Sequence, residues 1–288
     1  MSKCIAFHSY KGGTGKTTLA ANFAASLAKK GYKVFLLDFD VYAPSLQSYF
    51  EIDPKKWIND FLFEKAELKE VILDLTHLIE GKSTGGQLWV GFCNAKKEEI
   101  FKLEGRSSRL NVFRRFIHLR EMLSYQHKAD YIIIDTSPGM RYWSINALVV
   151  ADVLLLILQM TDLDIIGTRT LAREIYASLT KFGAMSFLLL NRVSGYCVPY
   201  RMQNTTAIGT SLGESGLETR SSLPMNQQLT ERDMQDFITN EIGMKILSAI
   251  PCYCDIQFSR KEFLTVSNQP EHFFTKRFEQ LVHAIETI

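Results

Sequence analysis

The chain has 288 residues, 46% of them apolar and 22% charged, with a formal net charge of +2. That apolar share supplies a sizeable core and excludes disorder of the chain as a whole. The near-neutral balance excludes a dominant nucleic-acid-binding field and leaves room for a local basic patch, while the length admits two average domains or one large α/β domain.

The first apolar run is short and feeds a glycine-rich turn, so it reads as a strand and not as a signal peptide. No stretch is long enough to cross a bilayer; the most apolar, Val149 to Met160, contains Asp152. The cysteines are Cys4, Cys93, Cys197, Cys252 and Cys254. An odd number with no leader points to reduced thiols and a cytoplasmic location. Cys252 and Cys254 have a C-x-C spacing that falls short of the usual metal knuckle, so they read as two ordinary thiols.

Cys4 to Ser9 is the apolar strand, and Lys11-Gly12-Gly13-Thr14-Gly15-Lys16-Thr17-Thr18 is the turn it enters. Three glycines within four positions let successive backbone N–H groups converge without Cβ clashes. The helix that follows aims its positive end at the same point. Lys16 supplies a point charge for the outer phosphates, and the Thr17 hydroxyl is placed to ligate Mg²⁺. The Gly-Lys-Thr-Thr run separates this turn from a dinucleotide-binding one, which has no use for a lysine there. The stretch reads as a nucleoside triphosphate site.

An ordinary P-loop has glycine five positions before Gly15, where this chain has Tyr10, and Lys11 follows. Here the chain resembles the MinD/ParA family of deviant P-loop ATPases, whose motif x-K-G-G-x-G-K-T-[TS] Lys11 to Thr18 match without a mismatch. The resemblance implies that Lys11 crosses a dimer interface to the nucleotide of a second subunit.

Thr18 to Lys30 reads as the P-loop helix, with Leu19, Phe23 and Leu27 on its apolar face and Gly31 as its stop. Lys33 to Leu37 is a second strand ending in Asp38-Phe39-Asp40, and the strand–helix–strand unit implies a right-handed crossover and a parallel sheet. The family resemblance gives Asp40 the role of orienting the water that attacks the γ-phosphate, with Asp38 supporting Lys16 and the metal. Val41 to Leu46 resembles the segment of the Mrp branch, an iron–sulfur carrier subgroup, with Ala43 in place of glycine.

Residues 53–86 form a variable middle of mixed helix and loop, and Gln87 to Cys93 looks like a third strand. Lys96 to His127 is largely helical and basic, with Arg106, Arg109, Arg114, Arg115 and Arg120. Those arginines fit a solvated helix face or a phosphate-contacting patch. Tyr131 to Asp135 is an apolar central strand ending in an acid, the Walker B pattern, so Asp135 is expected to hold Mg²⁺ through a water. Thr136 to Met140 resembles the family's D-T-x-P-G segment, which changes conformation with nucleotide state, and would place Arg141, Tyr142 and Trp143 near a dimer face.

Val153 to Leu158 is a strand, Asp164 to Lys181 a helix, and Ser186 to Leu190 a strand ending at Asn191, which the resemblance makes the adenine-reading residue. Residues 194–229 are polar, lack apolar periodicity and form an insertion relative to the family. Thr230 and Asp233 have capping-box spacing for another helix, and Lys245 to Ile250 is a strand closed by Pro251. The family's I-P dipeptide lines the adenine pocket, which makes Pro251, with Cys252, a nucleotide contact. The last helix, Glu271 to Ile288, carries Phe274, Phe278, Leu281 and Ile285 on one stripe. Its polar face holds Glu279 and Glu286 beside Lys276 and Arg277, so it reads as core-packing and not as a membrane anchor.

The expected fold is a single α/β domain over 1–288, a mostly parallel twisted sheet of about seven strands with helices on both faces. The resemblance implies an ATP- and Mg²⁺-dependent ATPase that dimerises with itself and positions or partitions a cargo, with DNA, a membrane surface or a protein as partner. An Mrp-like iron–sulfur carrier is the alternative, and a small-molecule phosphotransfer enzyme on the same scaffold the third possibility.

Overall fold

The computed structural model describes residues 2–79, 85–94, 109–193, 231–257 and 259–288. Eight strands form one sheet in the order β3-β4-β2-β5-β1-β6-β7-β8. They are β1 (Lys3–Ser9), β2 (Lys33–Phe39), β3 (Ile72–Asp74), β4 (Gln87–Gly91), β5 (Tyr131–Thr136), β6 (Val153–Leu158), β7 (Met185–Val193) and β8 (Ile246–Pro251). All neighbours run parallel except β3, which pairs antiparallel with β4 at the edge. β3 is the strand beyond the seven expected. Three residues inside a helical segment are too few to show an alternation in the sequence.

β5 and β6 are buried at every position. This is why they read as continuous apolar runs, since helices cover both faces of a central parallel strand. One face carries α1 (Lys16–Lys29) and the C-terminal helix. The other carries α2 (Ile58–Leu62), α3 (Arg109–Glu121), α4 (Tyr142–Val149), α5 (Asp162–Leu171) and α6 (Glu231–Ile242). A π turn over Met122–Gln126 ends α3, and a second over Ala172–Tyr176 joins α5 to the helix Ala177–Lys181.

The C-terminal helix, α7 (Phe273–Glu286), buries Phe274, Phe278, Leu281 and Ile285 in the core it shares with α1. It is a core helix, as its mixed polar face predicts. Of the three residues expected near a dimer face, Trp143 is buried edge-on against Phe39 and Phe116. The first buried position of α4 falls on it, whereas Arg141 just before the helix stays exposed over the Tyr42 ring. The 194–229 insertion, the Thr230 cap and Cys197 lie outside the described residues.

Candidate nucleotide site

β1 lies at the centre of the sheet, and its two neighbours, β5 and β6, lead away to opposite sides. Ligands of open α/β sheets bind beyond the carboxyl ends of strands at such a switch point. The loop after β1 sits there. Gly13 and Gly15 take φ of +78° and +85°, a region that other residues enter at a cost. Gly15 is also the residue before α1, so the turn delivers the chain directly into a helix N-terminus.

The loop's carbonyls are held outward by side chains from distant strand ends. Gly13 O accepts from Arg192 at 2.9 Å and from Gln159 at 3.1 Å, and Thr14 O accepts from Asn191 Nδ2 at 2.7 Å. Asn191 packs so closely that a Cβ on Gly15 would lie 2.4 Å from its Nδ2. A Cβ on Gly12 or Gly13 would meet nothing within 4 Å, so the opposite side of the turn is open. Arg192 itself adopts φ of +56° to make its contact.

Lys16 is buried among carboxylates from two strand ends, Asp38 and Asp40 at that of β2 and Asp135 at that of β5. Its Nζ is 2.9 Å from Asp135 Oδ1 and 3.7 Å from Asp40 Oδ2. Burial disfavours its charge, but Asp135 and Asp40 outweigh that, and its pKa is raised. Asp38 lies beside Asp135 in the register of β2 and β5 and accepts the Asp40 N–H at 2.9 Å. Burial, then the neighbouring Asp135 charge, pushes the Asp38 carboxyl well above its ordinary range. Asp40 is also shifted upward by burial, opposed by Lys16.

One carboxylate, Asp135, with the Thr17 hydroxyl suits magnesium, which takes one or two protein ligands and keeps water and phosphate for the rest. Asp135 Oδ2 is buried with no hydrogen-bond partner, and so is Thr14 Oγ1. Buried polar atoms in native proteins are paired, and an orphaned oxygen on the carboxylate that meets Lys16 is one that a hydrated divalent cation would complete. The Thr17 hydroxyl accepts from Ser45 Oγ at 3.2 Å, so the segment after Asp40 also reaches the candidate metal position.

Asn191 and Pro251 line one cleft together with Gly15, Thr18, Arg192 and Tyr253. The two expected base contacts therefore meet beside the P-loop. Cys252 does not line that cleft, and its Sγ donates to Gln257 at 2.9 Å. Among the described residues no group of three or more His, Cys, Asp or Glu could hold a metal ion.

Lys11 precedes the glycine turn and Lys16 follows it. The Lys11 Nζ donates to Thr161 Oγ1 at 3.1 Å and is 3.9 Å from Asp164 Oδ2, both at the start of α5 of the same chain. Tyr10 packs its ring on Gly167 of α5, where a Cβ would come within 2.1 Å of ring carbons. Sequence reasoning did not single out Ser45, Gln159, Thr161, Asp164 or Gly167 for this site. Gln159, Thr161 and Asp164 share one signal, their position after the carboxyl end of β6, and Ser45 likewise follows that of β2.

A strand, a glycine turn with a buried lysine, and an acid at the end of a neighbouring strand define a P-loop nucleotide-binding protein. The sequence model of a family described as an AAA domain matches residues 2–182. The chain belongs to that family, as a P-loop ATPase of the MinD/ParA type. It is 35% identical over 141 residues to the flagellum site-determining protein YlxH of Helicobacter pylori, covering 48% of this chain and 42% of that protein. The chain thus spans less than half the length of that curated relative. Its fold is similar to the cell division ATPase MinD of Pyrococcus furiosus, with a TM-score of 0.70 and 21% identity over 100% of this chain and 99% of that one. It is also similar to the septum site-determining protein MinD of Pyrococcus horikoshii, described as complexed with Mg-ADP, with a TM-score of 0.68 and 20% identity over 99% and 96% of the two chains.

Proposed function

We propose that the protein is an ATP-hydrolysing switch that dimerises on ATP and uses the dimer to position or partition a cargo. The observation that carries this reading is the pair of lysines flanking one glycine turn, Lys16 buried between Asp135 and Asp40, and Lys11 half-exposed at the rim. One lysine suffices to bind phosphates, so a second at the rim is available to another molecule.

In this reading the Gly13 to Thr18 amides and Lys16 neutralise the phosphates, and Asn191 and Pro251 hold the base. Thr17 would hold Mg²⁺ directly and Asp135 through a water, and the bound ion would supply positive charge to offset that of the phosphates. Asp40 positions a water for in-line attack. Its upward-shifted carboxyl accepts a proton more readily than an exposed aspartate would. Lys11 leaves Thr161 and Asp164 to reach the nucleotide of a second protomer, where its charge stabilises the transition state.

The dimer reading is further supported by Leu163 and Ile166 of α5, 67% and 53% exposed on the helix that Lys11 touches. A DNA surface has less support. Arg115 donates to Phe61 O and lies over the Phe61 ring, and Arg120 is engaged with Val150 O and Asp152. The test is phosphate release from ATP with Mg²⁺ and no added substrate, followed by binding of Asp40→Ala protein to non-specific DNA, with ATP and with ADP, across a salt series. ATP turnover supports the switch, and its absence contradicts it. ATP-dependent DNA binding that falls steeply with salt assigns DNA as the surface. No binding at any salt directs the search to lipid vesicles and protein cargo.

A further inference from the structure

His8 is fully buried at the carboxyl end of β1, two residues before the deviant Tyr10, and no step above uses it. Its Nε2 is 3.0 Å from Gly139 O and its Nδ1 is 3.1 Å from the Tyr176 hydroxyl. A carbonyl can only accept, so Nε2 carries the hydrogen. In a neutral ring Nδ1 is then the acceptor, and the Tyr176 O–H must donate to it. Burial favours that neutral ring, pushing the pKa down to about 4 against the opposing Gly139 hydrogen bond.

Gly139 is held at both of its backbone groups by consecutive residues of β1. Its N–H donates to Ser9 O at 2.8 Å, and its carbonyl accepts from His8. Its φ of +77° makes this a turn that other residues would strain. The loop it closes begins directly after β5, whose Asp135 contacts Lys16. Ser9 in turn donates from its hydroxyl to Lys11 O at 2.8 Å. The Gly139 contacts therefore lead to the Lys11 backbone through Ser9, and the loop follows the strand whose Asp135 meets Lys16.

Tyr176 comes from the other end of the helical layer. It closes the π turn Ala172–Tyr176, stacks on the His8 ring at 6.0 Å and 13°, and is itself buried. A π turn widens a helix locally and recurs where a side chain must be placed for function.

We infer that His8 is a positioning residue for ATP hydrolysis, oriented by the Tyr176 hydroxyl, which holds the Gly139 carbonyl and so sets the loop after Asp135 against the P-loop. Tyr176 orients the imidazole; the imidazole orients the loop; neither touches the nucleotide. The inference rests on the ATPase reading for its kinetic consequence but not for its chemistry. Loss of the link therefore lowers kcat and leaves the KM for ATP nearly unchanged, because the phosphate-binding turn itself is intact.

The test has two arms on the full chain. The imidazole ¹⁵N spectrum of wild-type protein at neutral pH is expected to show His8 as the neutral Nε2–H tautomer. Tyr176→Phe is expected to shift the Nδ1 resonance. An Nδ1–H tautomer or a charged ring in the wild type overturns the inference, whether or not ATP is hydrolysed. In the kinetic arm, His8→Leu and Tyr176→Phe each lower kcat about tenfold, with KM changed less than about twofold. His8→Gln, which keeps a donor for Gly139 O, recovers part of the loss. The double variant His8→Leu with Tyr176→Phe is no slower than His8→Leu alone. Additive losses, or an unchanged kcat in Tyr176→Phe, overturn the inference. A wild type that does not hydrolyse ATP fails the ATPase reading separately and leaves the tautomer as the deciding result.

Discussion

At the residue scale, three carboxylates share one lysine. Asp135, Asp40 and Asp38 all raise the affinity of Lys16 for its proton, and burial alone would lower it. Removing the lysine leaves Asp135 facing Asp38 and Asp40 without a countercharge, and removes the charge that would meet phosphate. Lys16→Ala is therefore expected to abolish nucleotide binding, measured by equilibrium titration with a fluorescent ATP analogue. Lys11→Ala keeps the buried half of the site, so it is expected to bind ATP while turnover falls by about 10²–10³-fold. His8 gives a pH prediction with a definite sign. Its folded pKa of about 4 lies below its ordinary 6.5, so the unfolded chain takes up the proton first as pH falls. The stability that the neutral ring contributes is thus present above about pH 6.5 and lost between 6.5 and 4, by about 3 kcal/mol. Denaturant unfolding of wild type and His8→Leu across that range checks it: the difference between the two narrows toward pH 4.

At the scale of elements, α5 meets the P-loop through two contacts, Tyr10 on Gly167 and Lys11 on Thr161 and Asp164. A methyl group at 167 would overlap the Tyr10 ring, so Gly167→Ala is expected to destabilise the protein by about 1–3 kcal/mol, the range for overpacking. Adding Tyr10→Ala should remove most of that cost, which a double-mutant cycle in thermal unfolding measures. The C-terminal helix makes a different prediction. Phe278 is fully buried between α1 and the sheet, so Phe278→Ala is expected to cost about 3–5 kcal/mol in denaturant unfolding.

The whole molecule shows which features a sequence can carry. Local ones were legible: the glycine turn, the helix it opens, apolar strands buried on both faces, and an acid closing β5. Features made by distant residues meeting were not. Asn191 was named from the family resemblance alone, and its bond to Thr14 O spans 177 positions, as the Tyr176–His8 bond spans 168. No periodicity encodes such a pairing. The burial of Trp143 was hidden for the same reason, since Phe39 and Phe116 that cover it lie on β2 and α3. β3 escaped because an edge strand of three residues is shorter than any pattern that defines a strand.

On the proposed function, ATP joins two copies of this chain through Lys11. Sedimentation velocity of Asp40→Ala protein with Mg²⁺ and either ATP or ADP tests it most directly, with the Asp40→Ala, Lys11→Ala double variant alongside. The expected result is a dimer with ATP, a monomer with ADP, and a monomer in both nucleotides once Lys11 is replaced. A monomer under every condition, or an ATP dimer that survives loss of Lys11, would contradict it.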